Sequence, residues 1–163
     1  MALSPAIVKT ATWDVVAWNC AAAALLTDYS KLPREQRNIL RLMFASDRIR
    51  AKQEDWQSMA RFVVGAFRAD VARAGAGDSE EVFKLVEELC GTSPEFAALW
   101  AEQDVVAHGE GVKRIRHPEA GLVELEFSSF AVEGRPDLGM IVYNPVSTDD
   151  AERIRLLIVA AAA

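Results

Sequence analysis

The change from strand to helix falls within residues 13–26, which read WDVVAWNCAAAALL. Residues 13–18 are rich in aromatic and β-branched side chains, and this composition predicts a strand. Asn19 follows, and its side chain can accept a hydrogen bond from an orphan amide at the start of a helix. Residues 20–26 are therefore predicted to form a helix, and the alanines make it thin enough to lie close to a sheet. A short β-prone segment, Ala6–Thr10, precedes this region.

The middle of the chain has the apolar spacing of helices. A helix is predicted over residues 33–44, because the proline at its start suits a first helical position. A long amphipathic helix is predicted over residues 49–71, where apolar residues recur at helical steps. Two shorter helices follow. The first begins with the capping pair Asp78 and Glu81, and the second opens at Ser93-Pro94.

After about residue 108 the helical spacing gives way to alternation of apolar and polar residues. Strands are predicted over residues 112–117, 122–132 and 138–143. Within the second of these strands the alternation slips at Ser128-Ser129, which predicts either a β-bulge or a strand covered on both faces. Asp149 is predicted to cap a last helix that begins two residues later.

The order of predicted elements is two strands, five helices, three strands and a final helix. Such an order can form one five-stranded antiparallel sheet, with a helical layer inserted between strands two and three. We therefore predict a single α+β domain over residues 1–163. The order is similar to that of a PAS-like fold, and this similarity concerns topology rather than function.

Composition excludes several classes of protein. The 163 residues carry a net charge of −6 and no dense basic run, so direct contact with a phosphate backbone is not expected. No apolar run approaches the roughly 18 residues that span a bilayer, and no secretion signal opens the chain. Cys20 and Cys90 lack metal-ligand spacing, which favours a reduced, cytoplasmic protein.

Signatures of enzymes are missing from the sequence. It contains no nucleophile elbow of the Gly-x-Ser-x-Gly type and no Walker phosphate loop. Gly75 and Gly77 join two predicted helices, so we interpret them as a helix stop rather than a dinucleotide site. His108 and His117 could act as acid and base, or hold haem in a PAS-type sensor, but nothing in the sequence pairs them. We predict no enzymatic activity, no metal and no cofactor.

A basic segment could attract an anionic ligand. Residues 31–73 hold ten lysines and arginines and five acidic residues, whereas the rest of the chain is strongly negative. Arg37 and Arg41 lie four residues apart among apolar neighbours. An arginine at the edge of an apolar surface is suited to bidentate contact with a carboxylate, and Asn38 could add an amide donor. Structural pairing of these residues is an equally good interpretation.

Several blocks of the sequence resemble those of a known family. They are residues 13–25, 37–44, 55–56, 60–61, 67–70, 93–101, 113–119, 136–138 and 142–143. In this order they resemble the MmyB-like ligand-binding domain over nearly the whole chain. The resemblance implies a PAS-like sensor domain of a bacterial transcription regulator that also has an N-terminal helix-turn-helix domain of the Xre type. We expect that helix-turn-helix domain to be absent from residues 1–163.

The resemblance also implies a fatty acid as the ligand and a homodimer as the working form. We expect the acyl chain to lie among aromatic side chains, namely Trp18, Phe44, Trp56, Phe127 and Tyr143. The carboxylate would be held by Arg37, Asn38 and Arg41, with His117 in reserve. The alternatives are a ligand-free dimerisation module of the same regulator and an enzyme that acts on acyl substrates.

Overall fold

The computed structural model describes residues 2–103 and 110–163, which form five strands and seven α-helices. The strands are β1 (Ala6–Thr10), β2 (Val15–Trp18), β3 (Glu110–His117), β4 (Gly121–Val132) and β5 (Arg135–Pro145). The helices are α1 (Cys20–Leu25), α2 (Ile39–Ala45), α3 (Asp47–Lys52), α4 (Trp56–Arg73), α5 (Glu80–Thr92), α6 (Pro94–Glu102) and α7 (Thr148–Ala162). Two short 3₁₀ helices, Tyr29–Lys31 and Arg34–Gln36, connect α1 to α2.

Neighbouring strands of the sheet are antiparallel, and their order is β2-β1-β5-β4-β3. The first strand of the chain therefore lies beside the last, and helices α1 to α6 are inserted between β2 and β3. This arrangement confirms the predicted α+β class, the five-stranded antiparallel sheet and the place of the helical insertion.

Two hydrophobic clusters hold the fold together. The first lies between the sheet, α1 and α7, and includes Leu125 and Ile154. The second is formed by the helical insertion together with Trp13, and includes Phe67 and Phe96. Burial of a large apolar side chain contributes about 1.5–3 kcal/mol, so each cluster stabilises its own layer. Phe62 of α4 packs against both clusters and marks where the two layers meet.

Asn19 joins the first strands to the first helix, as the sequence predicts. Its Oδ1 accepts hydrogen bonds from Ala22 N at 2.9 Å and from Ala6 N at 3.1 Å. Its Nδ2 donates to Ser4 O at 2.9 Å. Ala22 is fully buried in the cluster that also contains Ile7 and Leu125 of the sheet, so the thin helix packs close to the sheet. The cap therefore ties α1 to β1 as well as starting the helix.

Helix α2 begins later than the sequence predicts. The prediction of a helix from Pro33 is wrong, because the chain there forms one short 3₁₀ turn. Asn38 has an extended backbone and pairs with Asp14 in an isolated β-bridge. The Asn38 side chain then caps α2 by accepting from Arg41 N at 3.1 Å. A contact with the chain entering β2 therefore sets the start of this helix.

The long helix predicted over residues 49–71 is divided into α3 and α4. The first ends at Lys52 and the second begins at Trp56. Between them, the backbone of Gln53 pairs with Ile115 of β3. In this bridge Glu54 N donates to Arg114 O at 3.4 Å, whereas Gln53 N still donates to Arg50 O at 3.2 Å. The Glu54 amide that bonds to the strand is not available to continue the helix. The edge of the sheet therefore breaks a helix whose apolar spacing continues without interruption.

Strand β4 has neither of the two features predicted at Ser128-Ser129. It pairs regularly with β5 there, and its register shifts instead between Ala131 and Val132. Phe130 is 50% exposed, so the strand is not covered on both faces. The slip in alternation arises because an apolar side chain stands on the face of the sheet that the helices leave open.

Two predicted helix caps are displaced along the chain. Ser79 rather than Asp78 caps α5, and Ser147 rather than Asp149 caps α7. Ser93 caps α6 as the sequence predicts. Serine and aspartate are about equally good caps, so local composition does not select between close candidates.

Candidate functional site

A cavity of about 490 Å³ lies between the sheet and helices α2, α3 and α4. The strands contribute their inner face, the one that carries Ile7, Phe127 and Ile141 and that the helices cover. Most of the lining is apolar. Five charged side chains also line it, namely Lys9, Lys52, Asp70, Arg73 and Lys113. The cavity is therefore an apolar space with ionic groups at defined positions.

The strands present alternate residues to the cavity. Phe127 of β4 lies opposite Tyr143 of β5, and both line it. Residues directly opposite each other in an antiparallel pair point to the same face. The Phe127 ring occupies the space above Gly111, where a Cβ atom would lie 2.7 Å from Phe127 Cζ. A glycine at this position is therefore required for the observed position of the ring.

Helix α4 crosses the sheet and covers the cavity with one of its faces. Met59, Phe62, Ala66 and Ala69 recur at helical spacing and line the space. Phe62 meets Phe127 edge-on, with ring centroids 5.1 Å apart. Beyond this contact the two alanines carry only a methyl group each. Space therefore remains between helix and sheet where larger side chains would fill it.

Near β1, Asp70 collects hydrogen bonds from three side chains. Its Oδ2 accepts from Lys9 Nζ and from Trp13 Nε1, the latter at 2.9 Å, and its Oδ1 accepts from Arg73 at 3.0 Å. Lys9 is only 4% exposed, and its Nζ lies 4.2 Å from the Trp13 ring centroid. Burial lowers the pKa of Lys9, although Asp70 acts in the opposite direction. The protein thus supplies a partner for the charges at this end.

Near β3, Lys52 and Lys113 line the cavity, and neither forms an ion pair with a carboxylate of the described residues. Lys113 is half-buried, and its Nζ lies 5.3 Å from the Tyr143 ring centroid. Within residues 2–103 and 110–163 it makes no hydrogen bond or ion pair, and burial lowers the pKa of Lys113 to about 8. Burial and the nearby Arg48 also lower the pKa of Lys52. An ammonium group in this setting can receive an anion from outside the protein.

Of the five predicted aromatic residues, Phe127 and Tyr143 line the cavity. Phe44 and Trp56 instead contact each other inside the helical insertion, with ring centroids 5.5 Å apart. Trp18 packs at the edge of the cluster around the sheet. The structure therefore brings two of the five together around the cavity. Ligand contact by any of them stays a prediction.

The predicted carboxylate anchors are engaged within the protein and do not line the cavity. Arg37 Nε donates to Leu32 O at 3.0 Å. Arg41 Nε donates to Glu88 Oε2 at 2.7 Å. Asn38 is 1% exposed and caps α2. These contacts fit the structural interpretation that the sequence left open, and a ligand contact of these residues stays a prediction.

His117, the reserve anchor, lies at the turn between β3 and β4. Its Nδ1 accepts from Glu119 N at 3.1 Å and from Ala120 N at 3.3 Å. Burial and the positive charge of Lys52 lower the pKa of His117. This side chain stabilises the turn and does not line the cavity. His108, the other histidine considered, lies outside the described residues.

Sequence reasoning missed Lys9 and Lys113 as cavity residues. A signal for both exists in the strand alternation, because Lys9 lies two residues after Ile7 and Lys113 two residues before Ile115. Each lysine therefore shares a face with a buried isoleucine. Lysine is rarely buried without a partner, so its place on an apolar face could have singled it out. Asp70 offers no such signal, since only the folded chain brings it to Lys9.

The described part of the chain has neither a membrane-spanning helix nor a metal-binding cluster. No helix there is both long and apolar enough to cross a membrane. No group of three or more histidine, cysteine or acidic side chains there could hold a metal ion.

Comparison with known proteins shows the family of this chain. Residues 1–157 match the family model described as the MmyB-like transcription regulator ligand binding domain. No curated protein matches the chain. The family match extends from the first strand into α7 and so includes every element that lines the cavity. The chain therefore belongs to the family of MmyB-like transcription regulator ligand binding domains.

Proposed function

We propose that this chain senses a fatty acid, or a similar apolar carboxylate, for a bacterial transcription regulator. The cavity between the sheet and α4 is the observation that carries the proposal. Its volume of about 490 Å³ falls within the range of about 300–1,000 Å³ that is typical of small-molecule sites. Family membership supports the regulatory role.

The charges of the lining favour an anionic head group. Four cations, Lys9, Lys52, Arg73 and Lys113, line the cavity together with one carboxylate, Asp70. Burial of about ten methylene groups at ~0.8 kcal/mol each would supply roughly 8 kcal/mol before ordering costs. Micromolar affinity corresponds to about −8.2 kcal/mol. Contacts to the head group must therefore offset the ordering costs.

We propose that the working form is a cytoplasmic homodimer without catalytic activity or a resident cofactor. DNA contact would belong to a helix-turn-helix domain of the same regulator, outside residues 1–163. The ligand would act by binding more tightly to one arrangement of the dimer than to the other. A ligand shifts an equilibrium only through such a difference in affinity.

Native mass spectrometry of the purified protein, followed by denaturation and lipid extraction, tests this proposal. We expect a fatty acid in near-stoichiometric amount, or a protein that lauric, myristic, palmitic or stearic acid stabilises against heat. An empty protein that none of these acids stabilises would contradict sensing and favour the ligand-free dimerisation module. DNA binding by residues 1–163 alone at physiological salt would contradict the proposed division of labour.

The anchors predicted from sequence require a test of their own. If Arg37 and Arg41 hold the carboxylate, replacing both by alanine must weaken the binding of myristic acid. Because both are already bonded to protein groups, we expect a change of less than about fivefold, or 1 kcal/mol. Isothermal titration calorimetry measures this change, and a much larger loss would assign the head group to these arginines.

A further inference from the structure

We propose that Lys113 and the neighbouring Lys52 hold the ligand's carboxylate at the β3 end of the cavity. The apolar chain then extends beneath α4 toward Ala69, at the β1 end. This inference rests on the proposed function and adds the direction in which the ligand lies.

The first argument is the pairing of the cations that line the cavity. Lys9 and Arg73 both bind Asp70, so their charges are already compensated by a carboxylate of the protein. Lys113 has no hydrogen bond or ion pair with any residue that the structure describes. A buried charge is costly until a partner compensates it. A bound carboxylate therefore gains the most binding free energy beside Lys113, which has no anionic partner among the described residues.

The second argument is the position of the two cationic ends in the sheet. Lys113 lies opposite Leu125, which lies opposite Pro145 of β5. Lys9 lies opposite Gly139 of the same strand. Gly139 and Pro145 are six positions apart along β5, roughly 20 Å at about 3.3 Å per residue. Both lysines belong to the inner face, so the cavity extends between them.

Helix α4 gives the same length independently. Met59 is the first of its residues to line the cavity and Arg73 is the last. These residues are fourteen positions apart, about 21 Å at about 1.5 Å per residue. Ala66 and Ala69 lie between them and leave room beneath the helix. A space of this length suits an elongated chain better than a compact ring system.

Lys52 belongs to the same end of the cavity as Lys113. It directly precedes Gln53, whose backbone pairs with Ile115 of β3, two residues from Lys113. Lys52 also lines the cavity. Two ammonium groups can therefore approach one carboxylate from a helix and a strand. We assign the larger contribution to Lys113, which lies over the Tyr143 ring.

Variants of Lys113 test the head-group site with two ligands of equal chain length. We expect Lys113→Met to weaken the binding of myristic acid by about tenfold or more, which is the usual effect of losing a charge-assisted hydrogen bond. Myristyl alcohol has no charge to lose, so its affinity should be little changed. Lys113→Arg keeps the charge and should retain the preference for the acid. Isothermal titration calorimetry measures the affinities of the wild type and of both variants for the acid and for the alcohol.

Two further variants complete the experiment. Lys84→Met removes an exposed lysine of α5 that pairs with Glu80 away from the cavity, and it should bind both ligands as the wild type does. Ala69→Leu fills the end assigned to the tail. We expect it to weaken stearic acid more than lauric acid and to preserve the preference for acid over alcohol.

The outcomes separate this inference from the proposed function. If the wild type binds myristic acid and Lys113→Met binds it equally well, the assignment of the head group is wrong. Equal losses of acid and alcohol would also overturn it, because they indicate damage to the whole cavity. An unchanged chain-length preference in Ala69→Leu would overturn the direction of the tail. A wild type that binds neither ligand would refute the proposed function and this inference together.

Discussion

The amine of Lys113 lies in a mostly apolar cavity, and this position lowers the free energy of unfolding of the ligand-free protein. Burial lowers the pKa of Lys113 from 10.5 to about 8. At about 1.36 kcal/mol for each pKa unit, the charged form costs up to about 3 kcal/mol. We therefore expect Lys113→Met to raise the free energy of unfolding of the ligand-free protein by about 1–3 kcal/mol at pH 7. Urea titration measures the difference.

The difference in free energy of unfolding between Lys113→Met and the wild type should depend on pH. Between pH 8 and 10.5 the Lys113 amine is less protonated in the folded protein than in the unfolded chain. The contribution of Lys113 to the free energy of unfolding therefore rises with pH. The advantage of Lys113→Met over the wild type should therefore shrink between pH 7 and pH 9.5. Lys84→Met serves as the exposed control. A Lys113→Met variant less stable than the wild type at pH 7 would contradict this account.

Asp70 has the opposite role, because it compensates a buried lysine. Removing one partner of a buried ion pair leaves the other uncompensated and typically costs about 3–5 kcal/mol. We expect a loss near this range for Asp70→Asn, which leaves Lys9 buried without a carboxylate. Combining it with Lys9→Met should restore much of the stability. Chemical denaturation of the three variants tests this, and additive losses in the double variant would contradict the coupling.

Strand β3 approaches β4 closely at Gly111, and this contact shapes the cavity. A Cβ atom there would lie 2.7 Å from Phe127 Cζ, so the ring would have to move. We expect Gly111→Ala to cost about 1–3 kcal/mol, as overpacking usually does. Gly91 of α5 has no atom within 4 Å of an added Cβ, and Gly91→Ala should gain about 0.5–1 kcal/mol. Thermal unfolding of Gly111→Ala and Gly91→Ala measures whether the first is less stable, and the second more stable, than the wild type.

Local sequence predicts some helix ends correctly and misses others. Asn19 and Ser93 cap helices as predicted, because a cap is formed by atoms only a few residues apart. The break between α3 and α4 was not predictable in this way. It arises where Gln53 pairs with Ile115, a residue on a strand far along the chain. Apolar spacing reports which face of a segment is buried, and it does not report where another element interrupts its hydrogen bonds.

Ligand binding should stabilise the whole chain, because the cavity exists only in the folded state. A ligand at one hundred times its dissociation constant raises the free energy of unfolding by about 2.7 kcal/mol. We expect this increase with myristic acid, together with a negative heat-capacity change on binding. Urea titration and calorimetry measure the two quantities, with acetate as a control that lacks the apolar chain. Equal effects of acetate and myristic acid would contradict binding in the apolar cavity.

The order of the strands, the place of the helical insertion, the α+β class and the family resemblance could be established from residues 1–163 alone. These properties depend on periods of two and 3.6 residues and on short blocks such as residues 13–25, all of which are local. The chemistry of the cavity is not local. Asp70 and Lys9 are 61 positions apart, and only the crossing of α4 over β1 pairs them. Lys113 makes no hydrogen bond or ion pair with any of the described residues. Whether a charge is compensated depends on what other elements bring within hydrogen-bond reach, and that is decided by the tertiary structure.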